Sequence, residues 1–298
     1  MADTLEPNSP PGLQPELQPL DHWSLAHGQR LALDQRPLVM GIVNVTPDSF
    51  SDGGDFIEAE AAIAHARRLA EEGADIIDIG GESTRPGADD VSLEEELDRV
   101  IPVIQGLADL GIPLSIDTRR ARVMTEAVKA GAAIINDVTG LTFEAESREA
   151  AKASGAGVVI MHSRGTPKTM QLAPRYDDVT ADVVAWLEHQ IQRALQAGIG
   201  RERIVADPGI GFGKTAEHNL TLLHQIAAFH GLGVPILVGA SRKRFIGRLA
   251  DVPDATDRLP GSLAIALWAA QKGVQILRVH DVAQTRQALT IQMAIMRA

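Results

Sequence analysis

The chain has 298 residues, a formal net charge of -11 and no cysteine. Without cysteine, disulfide bonds, thiolate metal sites and a cysteine nucleophile are excluded. The negative charge is typical of a solvated acidic surface and argues against binding to DNA or RNA. The apolar runs are short and interrupted, and the start of the chain lacks the basic and apolar segments of a secretion signal. We therefore expect no membrane insertion and predict a cytoplasmic location.

Residues 1–20 are rich in Pro, Gln, Glu and Leu. This composition buries too little apolar surface to offset the entropy of an ordered chain, so it predicts a flexible tail. Two short apolar segments then flank a turn at His27 and Gly28, which indicates a small hairpin. We expect this hairpin to cover one end of a single domain that spans residues 21–298.

From residue 37 onwards, a short apolar run, a polar loop and a helical segment follow one another repeatedly. The apolar runs cover residues 38–45, 75–80, 112–117, 133–137, 157–161, 203–207, 235–239 and 275–279. Each run is apolar on both alternations, as expected for a parallel strand that is covered on both faces. Eight strand–helix units of this length predict an α/β fold, the closed (β/α)8 or TIM barrel. An open doubly wound sheet is the alternative.

Polar side chains stand at or just beyond the carboxyl end of each predicted strand. In chain order they are Asn44, Thr84 with Arg85, Asp117, Asn136, His162, Asp207, Ser241 with Lys243, and Arg278 with His280. A single residue of this kind commonly caps the following helix, but capping does not explain a Lys and an Arg at the same end. Because a barrel gathers the carboxyl ends of its strands into one mouth, the set predicts an active site there.

Other polar features are open to more than one interpretation. The connections at 46–56 and 81–91 are long and rich in Gly, Pro, Ser and Asp, which is typical of loops that close over a ligand, with a disordered insertion as the alternative. For Asp48 and Asp52 in the first of these loops, two interpretations are equally supported: they reach the site when the loop closes, or they are solvated surface charges.

Three more residues need an interpretation. Lys214 and the residues beside it resemble the end of a phosphate-binding P-loop, but Pro208 replaces a required glycine, so a helix start is predicted instead. His162 is either catalytic or, as is commoner for a histidine at a strand end, a packed hydrogen-bonding residue. Asp78 lies within the second strand, and no role is assigned to it.

Several segments resemble the dihydropteroate synthase family. They are residues 41–54 (GIVNVTPDSFSDGG), 80–87 (GGESTRPG), 115–118 (SIDT), 135–138 (INDV), 161–162 (MH), 207–214 (DPGIGFGK), 241–243 (SRK) and 278–281 (RVHD). They occur in the family's order, and Ile210 stands where Phe is frequent. The resemblance implies a homodimer, Mg2+ as cofactor, and a transferase of folate biosynthesis. That transferase joins 6-hydroxymethyl-7,8-dihydropterin diphosphate to p-aminobenzoate and releases pyrophosphate.

The resemblance also implies roles for individual residues. The pterin would bind to Asp117, Asn136, Asp207 and Lys243. Catalysis would rest on Asp117, Lys243 and Arg278. The diphosphate would bind to Asn44, Ser83, Thr84, Arg278 and His280, with Asn44 also a ligand of Mg2+. The p-aminobenzoate would bind to Phe50, Arg85, Pro86, Phe212 and Ser241. This chemistry is sound, because carboxylates accept from pterin N–H groups and a guanidinium suits phosphate oxygens.

Two other functions compete with this hypothesis. A methyltetrahydrofolate-binding methyltransferase barrel would share the Asn and Asp contacts to a pterin, but it has no use for a diphosphate site. Ser83, Arg278 and His280 therefore argue against it. A pterin carrier without activity would be expected to have lost a charged group at the mouth, and none is missing. For the displacement itself, cleavage of the C–O bond before attack is favoured, and concerted attack stays open.

Overall fold

The computed structural model describes residues 20–33, 35–46, 55–83, 90–165, 169–170 and 173–298. The predicted hairpin consists of the antiparallel strands β1 (His22–Ser24) and β2 (Arg30–Ala32). The remaining strands are β3 (Leu38–Asn44), β4 (Ile76–Gly80), β5 (Leu114–Asp117), β6 (Ile134–Asp137), β7 (Gly157–Met161), β8 (Ile204–Asp207), β9 (Leu237–Val238) and β10 (Ile276–Val279). All of these pair in parallel, in the order β8-β7-β6-β5-β4-β3-β10-β9.

The two ends of this sheet meet and form a barrel. Ala206 in β8 forms a parallel bridge with Ile236, next to β9, and its backbone N–H donates to the Pro235 carbonyl at 2.9 Å. The predicted (β/α)8 barrel is therefore confirmed, and the open sheet is wrong because its edge strands would not pair. The seventh barrel strand has two residues, Leu237–Val238, in place of the predicted 235–239.

Helices follow the barrel strands and cover the outside of the sheet. They are α1 (Asp55–Glu71), α2 (Leu93–Gly106), α3 (Ala121–Ala130), α4 (Ser147–Ser154), α5 (Val179–Ala197), α6 (Ala216–His224), α7 (Arg244–Ala250), α8 (Leu259–Gln271) and α9 (Val282–Arg297). The starts of α2, α5 and α6 carry polar side-chain caps. At α5, Asp178 accepts from the N–H groups of Thr180 and Ala181 at 3.0 Å each. Such a cap satisfies amides that have no partner within the helix.

The hairpin covers the amino end of the barrel. The Trp23 side chain is fully buried, and its indole Nε1 donates to the Arg203 carbonyl at 2.9 Å. The backbone N–H of Ala26 donates to the Ala133 carbonyl at 3.2 Å. Arg203 and Ala133 immediately precede β8 and β6, so both contacts lie at the end of the barrel opposite to the predicted active site.

The predicted flexible tail lies outside the described residues, apart from Leu20. Within the described ranges, the helices are too short or too polar to cross a lipid bilayer.

Candidate active site

Three predicted site residues stand side by side on neighbouring strands. In the parallel ladder, Asn44 pairs with Gly80, Gly80 with Asp117, and Asp117 with Asn136. Paired residues on neighbouring strands point to the same face of a sheet, so these side chains form one layer at the carboxyl end of the barrel. Gly80 adds no side chain to the layer. The row therefore brings together residues that are 92 positions apart, from 44 to 136.

Arg278 binds two carboxylates within this layer and the one below it. Its Nε donates to Asp78 Oδ2 at 2.5 Å, and its Nη2 donates to Asp117 Oδ2 at 2.7 Å. The Nδ2 group of Asn136 also donates to Asp78 Oδ2, at 3.1 Å. Asp78 therefore holds two predicted site residues at once.

Asp78 is the residue that sequence reasoning left without a role. It is fully buried, and a buried carboxylate is costly unless it is paired. The usable signal was an acidic residue in the middle of an otherwise apolar strand. Its second oxygen, Oδ1, and the Ser115 hydroxyl beside it in the ladder have no hydrogen-bonding partner among the described residues. The polar lining therefore extends below the mouth into the barrel.

Burial and charge act against each other at this centre. Burial lowers the pKa of Arg278, but the carboxylates of Asp78 and Asp117 outweigh that effect and raise its pKa overall. Arg278 is therefore a permanent cation. Burial raises the pKa of Asp117 to about 7, although the Arg278 guanidinium opposes this shift.

Asp207 and Lys243 are the other two residues that were predicted to bind the pterin. Burial raises the pKa of Asp207 to about 6, against the hydrogen bond from the Gly209 N–H, which lies 2.7 Å from Oδ1. Burial lowers the pKa of Lys243 to about 8, and the charge of Arg278 acts in the same direction. Because Asp207, Lys243 and Arg278 perturb one another, the predicted pterin residues share a single electrostatic environment.

Phe212 lies against Lys243. The Lys243 Nζ atom is 3.9 Å from the centroid of the Phe212 ring, which is a cation–π distance. Gly211 has a φ of +86°, and a Cβ at this position would lie 2.9 Å from Lys243 Cδ. The loop between β8 and α6 therefore encloses the lysine stem.

Ser241 and His280, which were assigned to different ligands, contact each other. The Nδ1 atom of His280 lies 3.0 Å from the Ser241 hydroxyl oxygen, and the His280 backbone N–H donates to the same oxygen at 3.3 Å. Next to them, Arg242 donates its backbone N–H to Ser262 Oγ at 2.9 Å and pairs its guanidinium with Asp281. Arg242 therefore has a structural role in shaping the loop that follows β9.

Among the remaining predicted site residues, Ser83 lies within the described part of the chain. Ser83 follows β4 at the mouth and is half-buried. The predicted residues Phe50, Thr84, Arg85 and Pro86, together with Asp48 and Asp52, lie outside the described residues. Among the described residues, no group of three His, Asp or Glu side chains could hold a metal ion by itself.

Comparisons with known proteins identify the family of the chain. Residues 40–280 match the family model of pterin-binding enzymes. The chain is 50% identical over 274 residues to dihydropteroate synthase of Escherichia coli K12, covering 92% of this chain and 96% of that protein.

Solved structures extend the comparison to three dimensions. The dihydropteroate synthase of Xanthomonas albilineans with 4-aminobenzoic acid is similar at a TM-score of 0.87 and 50% identity, covering 93% of this chain and 99% of that one. The same enzyme in complex with 7,8-dihydropteroate has a TM-score of 0.84 and 48% identity, with coverages of 92% and 98%.

The barrel, its charged mouth and the family match together define an enzyme that binds a pterin. Within that class, the chain belongs to the dihydropteroate synthase family. The family and the transferase activity predicted from the sequence motifs are thereby confirmed. These relatives give no support to the methyltransferase alternative.

Proposed function

We propose that this chain joins 6-hydroxymethyl-7,8-dihydropterin diphosphate to p-aminobenzoate through the residues gathered at the barrel mouth. The C–O bond to the diphosphate breaks, a C–N bond to the arylamine forms, and pyrophosphate and one proton are released. The observation that carries the proposal is the convergence of Asp117, Asn136, Asp207 and Lys243 around Arg278. These groups match a ligand that is rich in N–H donors at one end and anionic at the other.

The pterin binds between acceptors and a donor. Burial raises the pKa of Asp207 to about 6. At neutral pH its side chain is therefore mostly a carboxylate, which accepts from the N–H groups of the pterin edge. Asn136 both gives and accepts, and its bond to Asp78 fixes the orientation of the amide. Lys243 donates to the carbonyl and ring nitrogen on the opposite side. Fixed groups of this kind bind their ligand without reorganisation.

Arg278 and Asp117 act on the leaving group and the pterin, respectively. A guanidinium has five N–H donors, and two of those of Arg278 are used by Asp78 and Asp117. The others can bind diphosphate oxygens. As the C–O bond breaks, positive charge spreads over the pterin, and the Asp117 carboxylate stabilises it. We favour this dissociative order of bond breaking and bond formation.

We propose that Mg2+ binds together with the diphosphate and neutralises it. The Asn44 amide oxygen is a hard ligand of the kind that Mg2+ prefers, and it lies in the same layer as Asp117. A single amide is a weak metal site, so diphosphate oxygens and water would complete the coordination. The expected behaviour is metal affinity that depends on the presence of the diphosphate.

We propose that two copies of the chain associate through α8 and α9. Their outer faces form a groove of about 630 Å³ lined by Leu, Ile, Met, Ala and Gln side chains, with no charged residue. Ile291 and Ile295 on α9 are 59% and 70% exposed. In a chain with a net charge of -11, an uncharged face lets two copies approach without repulsion. Ile295→Glu should convert a dimer into a monomer in analytical ultracentrifugation.

The cytoplasmic location stays a prediction.

The activity can be tested by following pyrophosphate release from the pterin diphosphate. We expect rapid release only when both p-aminobenzoate and Mg2+ are present, with one 7,8-dihydropteroate formed for each pyrophosphate under these conditions, as measured by mass spectrometry. Rapid release that p-aminobenzoate does not change would indicate a hydrolase and contradict the proposal. Slow release without p-aminobenzoate would support the dissociative order.

A further inference from the structure

Lys214 is a buried amine that has no carboxylate partner among the described residues. It is 2% exposed. Its Nζ lies 2.9 Å from the Gly209 carbonyl oxygen, 3.0 Å from that of Phe212 and 2.9 Å from His162 Nδ1. A lysine ammonium has three protons to donate, so these contacts use all of them. Burying an amine is costly unless hydrogen bonds satisfy it. The burial of Lys214 therefore suggests that it organises the groups around it.

The groups around Lys214 belong to two chain segments that are in close contact. The loop between β8 and α6 supplies two of the acceptors, and His162, which directly follows β7, supplies the other. Gly209 has a φ of +67°, and a Cβ there would overlap the His162 carbonyl oxygen. Backbone carbonyls from both segments therefore point towards one place, and the Lys214 amine donates to them. Burial lowers the pKa of Lys214 to about 7, so its protonated form compensates the converging carbonyl dipoles near and below neutral pH.

This loop holds the pterin residues of the site. The N–H group of Gly209 binds the Asp207 carboxylate, and Gly211 lies against the stem of Lys243. The Phe212 carbonyl accepts from Lys214, while its ring lies under the Lys243 ammonium. A displacement of this loop would therefore move both Asp207 and Lys243 relative to the pterin.

His162 is suited to accept a hydrogen bond and is poorly suited to transfer a proton. Its Nδ1 atom accepts from Lys214, which requires a neutral imidazole with its proton on Nε2. Burial, and then the charge of Lys214, lower the pKa of His162 to about 3. The ring packs edge-on against Trp186, at 5.0 Å between centroids. Of the two interpretations from the sequence, the packed hydrogen-bonding residue fits.

We infer that Lys214 is a positioning residue for pterin binding, with His162 as its neutral acceptor. Lys214 fixes the loop between β8 and α6 so that Asp207 and Lys243 face the pterin at the correct separation. The inference depends on the proposed assignment of these two residues to the pterin. Lys214 itself does not touch the substrate in this account, and it is not a phosphate-binding lysine.

The first experiment compares Lys214→Met with Lys129→Met, an exposed lysine on α3 that pairs only with its helical neighbour Glu126 in the described structure. Calorimetry measures the affinity for 6-hydroxymethyl-7,8-dihydropterin, which lacks the diphosphate. We expect Lys214→Met to weaken this affinity at least about tenfold, and Lys129→Met to leave it unchanged. A folded Lys214→Met protein with wild-type pterin affinity would overturn the inference.

A second pair of variants removes the dependence on Lys214→Met being folded. Asn carries Oδ1 at the position on Cγ where His carries Nδ1, so His162→Asn keeps the acceptor, whereas His162→Leu removes it. Pterin affinity and kcat should stay within about threefold of wild type in the Asn variant, and affinity should fall about tenfold in the Leu variant. Equal loss of kcat in both variants would make His162 a proton-transfer residue and refute the positioning role.

The same variants separate this inference from the proposed function. Wild-type protein that forms no dihydropteroate would refute the proposed reaction, whatever the variants do. The positioning role is judged by the ratio of variant to wild-type pterin affinity. The double variant Lys214→Met/His162→Leu should lose no more affinity than Lys214→Met alone, because Lys214→Met already removes the contact with His162. Additive losses would show that the two residues act independently.

Discussion

The two ends of the barrel are built from opposite chemistry. At the amino end, Trp23 and Leu25 of the hairpin pack against Gly157, and the buried indole N–H has a backbone carbonyl as its partner. At the carboxyl end, charged side chains are buried in the same barrel, and burial shifts the pKa values of Asp117, Asp207 and Lys243 against their charged forms. The apolar contacts at the amino end therefore stabilise the folded protein, whereas the buried charged groups at the carboxyl end lower its stability.

This difference teaches that stability and chemistry occupy separate parts of the fold. A barrel keeps its strands fixed by apolar contacts between sheet, helices and hairpin, and it can then tolerate costly groups at one mouth. Asp78 is the point where the two parts meet, since it lies inside the barrel and holds Arg278 and Asn136. Substitutions at the two ends should therefore have effects of different kinds.

The largest effect is expected from Trp23→Ala at the amino end. Removing a fully buried indole should lower the free energy of unfolding by about 3–5 kcal/mol, because a cavity is left behind. Denaturant unfolding measures this change, and Trp23→Phe, which keeps most of the ring volume, should lose less. The pterin affinity of the folded protein should stay unchanged. A parallel loss of affinity would show that the two ends are not separable.

Asp207→Asn should have opposite effects on binding and on stability. Pterin affinity should fall about a hundredfold or more, because the amide removes a charged acceptor and presents a donor. The free energy of unfolding at pH 7 should rise by about 1–3 kcal/mol, because burial raises the pKa of Asp207 from 3.8 to about 6 and the ionised form is costly in the folded state. Calorimetry and denaturant unfolding measure the two changes. Unaltered pterin affinity would refute the pocket described here.

The amino-acid sequence predicted the fold because its signals are local and repeated. Each apolar run is bounded by polar residues, and the candidate site residue follows or ends its strand directly in the chain, as Asn44 and Asp117 do. The shortened β9 was not foreseen, because 235–239 is apolar throughout and hydrophobicity does not show where the ladder stops.

Partnerships over long chain distances could not be predicted in the same way. The bond between Arg278 and Asp78 joins residues 200 positions apart, and nothing local in either strand indicates the other. Lys214 was correctly separated from the P-loops, and Thr215 does cap the following helix. The contact between Lys214 and His162 depends on how two loops pack against each other. No single position in the sequence indicates that packing.

Arg278→Ala tests whether the mouth distinguishes diphosphate from pterin. Affinity for the pterin diphosphate should fall about thirtyfold, since a hydrogen bond to a charged group contributes about 1.5–3 kcal/mol. Binding of the bare pterin should fall much less, because Asp207, Asn136 and Lys243 remain. Calorimetry with both ligands measures the two losses. Equal losses would refute the role of Arg278 in diphosphate binding.

The smallest effect is the pH dependence of pterin binding, and its sign follows from Asp207. The carboxylate must be ionised to accept from the pterin, and its pKa is raised to about 6. Affinity for the bare pterin should therefore fall about tenfold for each pH unit below about pH 6. It should fall again above about pH 8, because Lys243, whose pKa burial lowers to about 8, then loses the proton that it donates to the pterin. The cations that face Asp207 are Lys243, Lys214 and Arg278. Arg278 is charged throughout, whereas the two lysines, whose pKa values burial lowers to about 8 and about 7, gain protons as the pH falls through these values.

Stability should depend on pH in the opposite direction. A carboxyl whose pKa is raised by folding binds its proton more tightly in the folded state than in the unfolded state, so Asp207 contributes more stability as the pH falls from about 6 towards 3.8. Asp207→Asn should remove this contribution to the pH dependence of unfolding and flatten the pterin-binding profile. A variant that keeps the wild-type binding profile would assign the titration to another group, and Asp117, whose pKa is raised to about 7, would be the next to substitute.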